Sequence, residues 1–128
     1  MKRIVDIMTR QPWTVQLDDS LAVARRMIAE CESHHLPVLD GGTVVGMVTE
    51  RNLALAADRL GTVADAMVPV HRVAADTPLD EVLDAMTAQR WDAVVVTGNG
   101  KVEGIFTATD AVRVLRDVLR RQRQRARA

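Results

Sequence analysis

The chain has 128 residues, 48% of them hydrophobic and 27% charged, with a formal net charge of zero. That length suits one ordinary domain able to bury about two-thirds of its unfolded surface, and the neutral balance argues against a whole-domain nucleic-acid binder. The only cysteine, Cys31, leaves no partner for an intrachain disulfide, and no apolar run approaches the roughly 20 residues that span a bilayer.

Lys2 and Arg3 precede IVDIM, which is too short and too acidic for a signal peptide, so a cytoplasmic chain is expected. An extended piece follows at Trp13–Val15. A helix then starts at Asp18/Asp19 and carries an apolar face of Leu21, Ala24, Met27 and Ile28 at three-and-four spacing. Two β-rich runs flank a glycine turn in LPVLD-GG-TVVGMVT (36–49), and LALAADRL (53–60) closes as a helix. The order then repeats. Arg72–Ala74 is extended, Thr77 caps a helix with Pro78 in its first turn, and Leu79, Val82, Leu83 and Met86 form the apolar face. AVVVT-GNG-KVEGIFT (93–107) is the second hairpin and AVRVLRDVLRRQ (111–122) the closing helix. The pattern is β-α-β-β-α written twice, an α/β chain of two small packed modules rather than a longer array.

The copies also match in letters. VDIM (5–8) aligns with ADAM (64–67), and DDSLAVARRMI (18–28) with DTPLDEVLDAM (76–86). The clearest pair is GMVTERN (46–52) and GIFTATD (104–110), 58 positions apart. A strand ending in Gly-x-x-Thr, followed by a helix opening at Asp or Asn, brings a hydroxyl and a carboxylate or amide to a helix N-terminus. Unpaired N–H groups there suit a phosphate, and a carboxylate suits a ribose diol. Asp110 and Asn52 also make good helix caps, so each residue taken singly has a purely structural reading. The glycine allows a backbone or a flat ligand to come close.

With its DIMT and DAMV leaders and HLPVLD, the duplicated phrase resembles a tandem pair of CBS (cystathionine-β-synthase) domains, a Bateman module, over about residues 4–119. The resemblance implies a repeat at 4–60 and another at 61–119, related by a pseudo-twofold axis with clefts between them, and a basic tail at 120–128. It implies a non-catalytic regulatory sensor for an adenosyl ligand such as AMP, ADP or ATP, with no tightly bound cofactor. Carried over by position, Asp110 holds the ribose hydroxyls and Thr107 a phosphate or ribose oxygen. Val94 and Val95, with backbone near Val73, clamp the adenine. The first-repeat counterparts are Asn52, Thr49, Leu36, Pro37 and Val15. Asn52 departs from the pattern, since an amide cannot offer a diol two acceptor oxygens, so a weaker first site is expected. Arg51 and Arg113 are the candidates for meeting phosphate.

Other signals carry less. His34 and His35 point opposite ways on a strand, which disfavours a shared metal. No nucleophile–base order or Walker-type lysine loop is present. Met27, Met47, Met67 and Met86 read as core fillers. Arg120, Arg121, Arg123, Arg125 and Arg127 leave residues 1–119 with a balance of −5; the tail reads first as a solvated, frayed helix end. The expected protein is a stand-alone homodimer acting on a partner protein, with Leu53, Leu55, Ala56, Val112, Leu115 and Leu119 as its contact surface. The alternatives are a scaffolding pair with empty clefts, or a nucleic-acid-associated protein that uses the tail.

Overall fold

The computed structural model describes residues 2–56 and 61–127. A short 3-10 turn, Ile4–Asp6, leads into β1 (Thr9–Arg10). The first repeat follows as β2 (Val15–Gln16), α1 (Leu21–Cys31), β3 (His35–Asp40), β4 (Thr43–Thr49) and α2 (Glu50–Leu55). A one-turn α3 (Val63–Ala66) opens the second, followed by β5 (Arg72–Ala74), α4 (Leu79–Gln89), β6 (Ala93–Gly98), β7 (Lys101–Thr107) and α5 (Ala108–Arg127). The twofold β-α-β-β-α order is as expected. The last four residues of the helix expected over 53–60 lie outside the described residues.

Local chemistry sets the boundaries, and it moves several expected caps. Ser20, not Asp18 or Asp19, caps α1, its hydroxyl accepting the Val23 N–H at 3.1 Å. Asp19 closes the preceding turn instead, accepting the Gln16 N–H at 2.8 Å. Pro78 occupies the cap position of α4 without a side-chain hydrogen bond, so Thr77 is not the cap. The hairpins turn on Gly41-Gly42 and Asn99-Gly100, all four at positive φ, the geometry of two-residue turns that match strand twist.

β2 runs parallel to β3, and β3 antiparallel to β4, giving the sheet β2-β3-β4. In the second repeat β5, β6 and β7 pair in the same way, and β1 adds on beyond β7. The leader of the first repeat thus belongs in space to the second. The exchange is reciprocal: Val68 bridges Met47 on β4, and the Val63 N–H donates to Asp19 O at 2.8 Å.

Three apolar clusters follow from this. Val15, Leu21, Ala24, Leu36, Val38 and Val48 fill the first repeat together with Val63 of the second leader. Val82, Met86, Val94, Val96 and Phe106 fill the second together with Ile4 and Met8 of the first leader. Alternation along the strands, with a register shift in β4 opposite Val38 and Leu39 that brings Val44 onto the face of Met47, leaves Val44, Met47, Ala93, Val95 and Ile105 to pack the repeats together. Of the expected contact surface, Leu53 and Ala56 are core residues, because Leu53 in α2 and Ala56 at its C-cap stand three apart on the inward side. Leu55, Val112, Leu115 and Leu119 are exposed. The arginine tail continues α5 as helix to Arg127.

Candidate functional site

In both copies of the duplicated phrase the threonine caps the helix, and Asp or Asn stands three residues on as its reciprocal partner. Thr107 Oγ1 accepts the Asp110 N–H at 3.2 Å, and Asp110 Oδ2 accepts the Thr107 N–H at 2.9 Å. Thr49 Oγ1 accepts the Asn52 N–H at 3.1 Å, while Asn52 Oδ1 accepts the Thr49 N–H at 3.0 Å and its hydroxyl at 2.8 Å. This is a capping box. Asp110 and Asn52 are therefore not themselves the caps, and each helix begins two residues earlier than they do. The glycines serve the exchange: a Cβ on Gly104 would lie 2.8 Å from Thr9 O, and one on Gly46 3.1 Å from Val68 O. What comes close at those glycines is the backbone of the swapped leader.

The copies differ in what remains free. Among the described residues Asp110 Oδ1 meets only Arg113 Nη1, at 3.3 Å, and 16% of the Asp110 side chain is exposed. That oxygen is a charged acceptor within reach of a ligand. In the first repeat the carbonyl oxygen of Asn52 already accepts two bonds from Thr49.

Each phrase opens into a cleft between the repeats. A cleft of about 380 Å³ is lined by Thr9, Thr107, Thr109, Asp110 and Arg113 on one side and by Glu32, Ser33, His34 and His35 on the other. Its counterpart, about 390 Å³, joins Thr49, Met47 and His35 to Val68–His71 and Gln89–Ala93. Arg51 lies in an adjoining hollow with His34, His35, Thr49 and Asp92. So Asp110 faces residues of the first repeat, and Thr49 faces residues of the second. The expected adenine-clamping residues lie elsewhere. Val15 and Leu36 are in the first core, Val94 is in the second with Val73 packed against it, Val95 is in the core between repeats, and Pro37 is buried. The clefts reach the first residue of each hairpin, His35 and Ala93, and go no deeper along those strands. Asn52 sits behind Thr49 in the capping box.

Residues outside the carried-over ligand set also line the clefts, His34 and His35 among them. Glu32 and Arg90 end α1 and α4 in the left-handed region, at φ 50° and 58°, which costs an L-residue about 1–2 kcal/mol. His35 lines both clefts. Burial pushes its pKa down, Asp92 and Asp110 pull it back up, and His34 adds to the fall. His34 itself pairs with Glu50 at 2.8 Å. The His71 and Trp91 rings stack in the Thr49 cleft. The matching helix ends 58 residues apart are a readable signal for Glu32 and Arg90; the stack is not, because β5 and α4 separate His71 from Trp91 in the chain. No group of three or more metal-ligating side chains occurs among the described residues, and no helix there is long and apolar enough to cross a membrane.

Known proteins share this fold. The CBS domain model matches the chain twice, over residues 4–59 and 63–117. YlbB of Bacillus subtilis (strain 168) is 33% identical over 119 residues, covering 86% of this chain and 80% of that protein. The inosine-5'-monophosphate dehydrogenase of Nitrosopumilus maritimus (strain SCM1) is 31% identical over 113 residues, and the match spans 86% of this chain but only 24% of the enzyme. The crystal structure of the CBS domain pair of protein MJ0100, in complex with 5'-methylthioadenosine and S-adenosyl-L-methionine, superposes with a TM-score of 0.82 at 28% identity, over 90% of this chain and 96% of that one. With both repeats matched and the same paired fold, this chain belongs to the CBS domain family, as a tandem pair of its domains.

Proposed function

We propose that the chain is a non-catalytic regulatory module that binds an adenosyl ligand, AMP, ADP or ATP, between its repeats and acts on a partner protein. The observation that carries this is the Thr107–Asp110–Arg113 group at the mouth of an inter-repeat cleft. It combines a charged acceptor for a diol, a helix N-terminus and a guanidinium for phosphate. The CBS pair of MJ0100, a similar chain, is seen with adenosyl ligands bound, which supports the class of ligand. A ligand held between two modules signals only through unequal affinity for their arrangements, and the exchanged leaders tie any such shift to both repeats. A thermal-shift series tests the reading. One of the three nucleotides at about 100 times its dissociation constant adds about 2.7 kcal/mol, a rise of roughly 10 °C for a domain of this size. A flat series across all three would end the proposal.

The module is also proposed to be a homodimer. Val112, Leu115 and Leu119 fall on one side of α5 and are 67%, 58% and 54% exposed, an unpartnered apolar strip of the kind that marks contact surfaces. Light scattering at about 50 μM is expected to give a dimer mass for the wild type and a monomer mass for Leu115→Glu. A monomeric wild type would remove this part of the proposal.

A further inference from the structure

The two clefts are not equivalent, and the difference is aromatic. Beside Thr49 the His71 imidazole lies flat on the Trp91 indole, with ring centroids 4.1 Å apart and 9° between the planes, and both rings line that cleft. In the Asp110 cleft the position matching Trp91 is Ser33. His71 stands just before β5, held through its carbonyl oxygen by the Val95 N–H at 2.8 Å. Its ring can therefore turn about χ1 without disturbing the sheet. An indole face is a general platform for a nucleobase, whose larger ring system stacks over more area than an imidazole. The sugar end of this cleft is the poorer one, because Asn52 carries no charge and its carbonyl oxygen is engaged by Thr49.

We propose that the Thr49 cleft is a purine slot closed by its own His71, which a purine ring must displace to stack on Trp91. The inference rests on the nucleotide reading above and adds which group takes the ring there and what stands in its place beforehand. Trp91 is the platform, His71 the built-in competitor, and the slot selects for a flat aromatic ring rather than for phosphate.

The test uses adenosine, with ribose 5-phosphate as the control that lacks the ring. Both are titrated into the Trp13→Phe protein, where Trp91 is the only indole because the chain has two tryptophans. Adenosine is expected to change the Trp91 emission to saturation, and ribose 5-phosphate to leave it unchanged. His71→Ala should tighten adenosine binding about two- to twelvefold, the equivalent of the roughly 0.5–1.5 kcal/mol of an aromatic pair. His71→Phe keeps a ring on the indole and should not tighten it. Unchanged or weaker binding in His71→Ala, tightening in His71→Phe, or a response to ribose 5-phosphate overturns the proposal. If calorimetry shows adenosine binding while Trp91 stays silent, the slot is wrong and the nucleotide reading stands. If calorimetry shows no adenosyl ligand binding to the wild type, both fall.

Discussion

Asp110→Asn is expected to weaken adenine-nucleotide binding tenfold or more while lowering the melting temperature of the ligand-free protein by a few degrees at most. The sister phrase is the internal control for the second half of that statement. Asn52 already holds the Thr49 N–H through its carbonyl oxygen at 3.0 Å, just as Asp110 holds the Thr107 N–H at 2.9 Å. An amide at 110 therefore keeps the capping box. It removes the charge and one of the two acceptor oxygens. The partner left behind, Arg113, is 63% exposed, and losing so open a pair costs at most about 1 kcal/mol. A charge-assisted hydrogen bond to a ligand hydroxyl is larger, about 1.5–3 kcal/mol, or roughly 10- to 150-fold in affinity. Asp110→Ala is a different experiment, because it also breaks the box and should lower stability by about 0.5–1.5 kcal/mol. Calorimetric titration with AMP, run beside a thermal scan of the apoprotein, separates the two effects. Superimposable isotherms for wild type and Asp110→Asn would mean that GIFTATD is architecture and that the nucleotide reading has no anchor there.

The difficulty of that residue shows where sequence reasoning stopped. Period and turn chemistry were enough for the elements: Leu21, Ala24, Met27 and Ile28 do face inward, and Gly41-Gly42 and Asn99-Gly100 do turn the hairpins. The helix starts shifted because Asp and Asn are favoured at the cap itself, whereas Thr with an acceptor three residues later is a complete box. Both patterns are present in TERN and TATD, and hydrogen-bond geometry decides between them. The crossed make-up of the clefts was out of reach for another reason. VDIM and ADAM are too short to carry a period, so nothing local says which sheet they join. Only the packing of Ile4 and Val63 into the opposite repeats reveals it. Once the leaders cross, Asp110 comes to face Glu32–His35, and the expected grouping with Val73, Val94 and Val95 gives way to those residues at the cleft.

The exchange itself should carry a large part of the stability. Ile4 is fully buried among Val82, Val94 and Phe106, its N–H donates to Thr77 O at 2.8 Å, and β1 then pairs with β7 at Thr9–Ile105 and Arg10–Gly104. Ile4→Ala is expected to cost about 2–5 kcal/mol, the range for emptying a well-packed aliphatic site. Gly104→Ala attacks the same leader from the other side. Its new methyl would press on the Met8 sulfur and lie 2.8 Å from Thr9 O, so β1 must lift, at a cost of about 1–3 kcal/mol. Gly46→Ala should cost less, since its methyl meets the flexible end of Met67 first and the nearest backbone atom, Val68 O, is 3.1 Å away. Urea midpoints at constant slope give these differences. The decisive reading is the combination. With the leader already loosened by Ile4→Ala, Gly104→Ala has less contact left to disrupt, so the double variant should lose clearly less than the sum of the singles. Ile4→Ala with Gly46→Ala, which act on different leaders, should add to within about 0.5 kcal/mol. Additivity in both pairs would mean that residues 4–10 do not unfold as one unit from the second repeat.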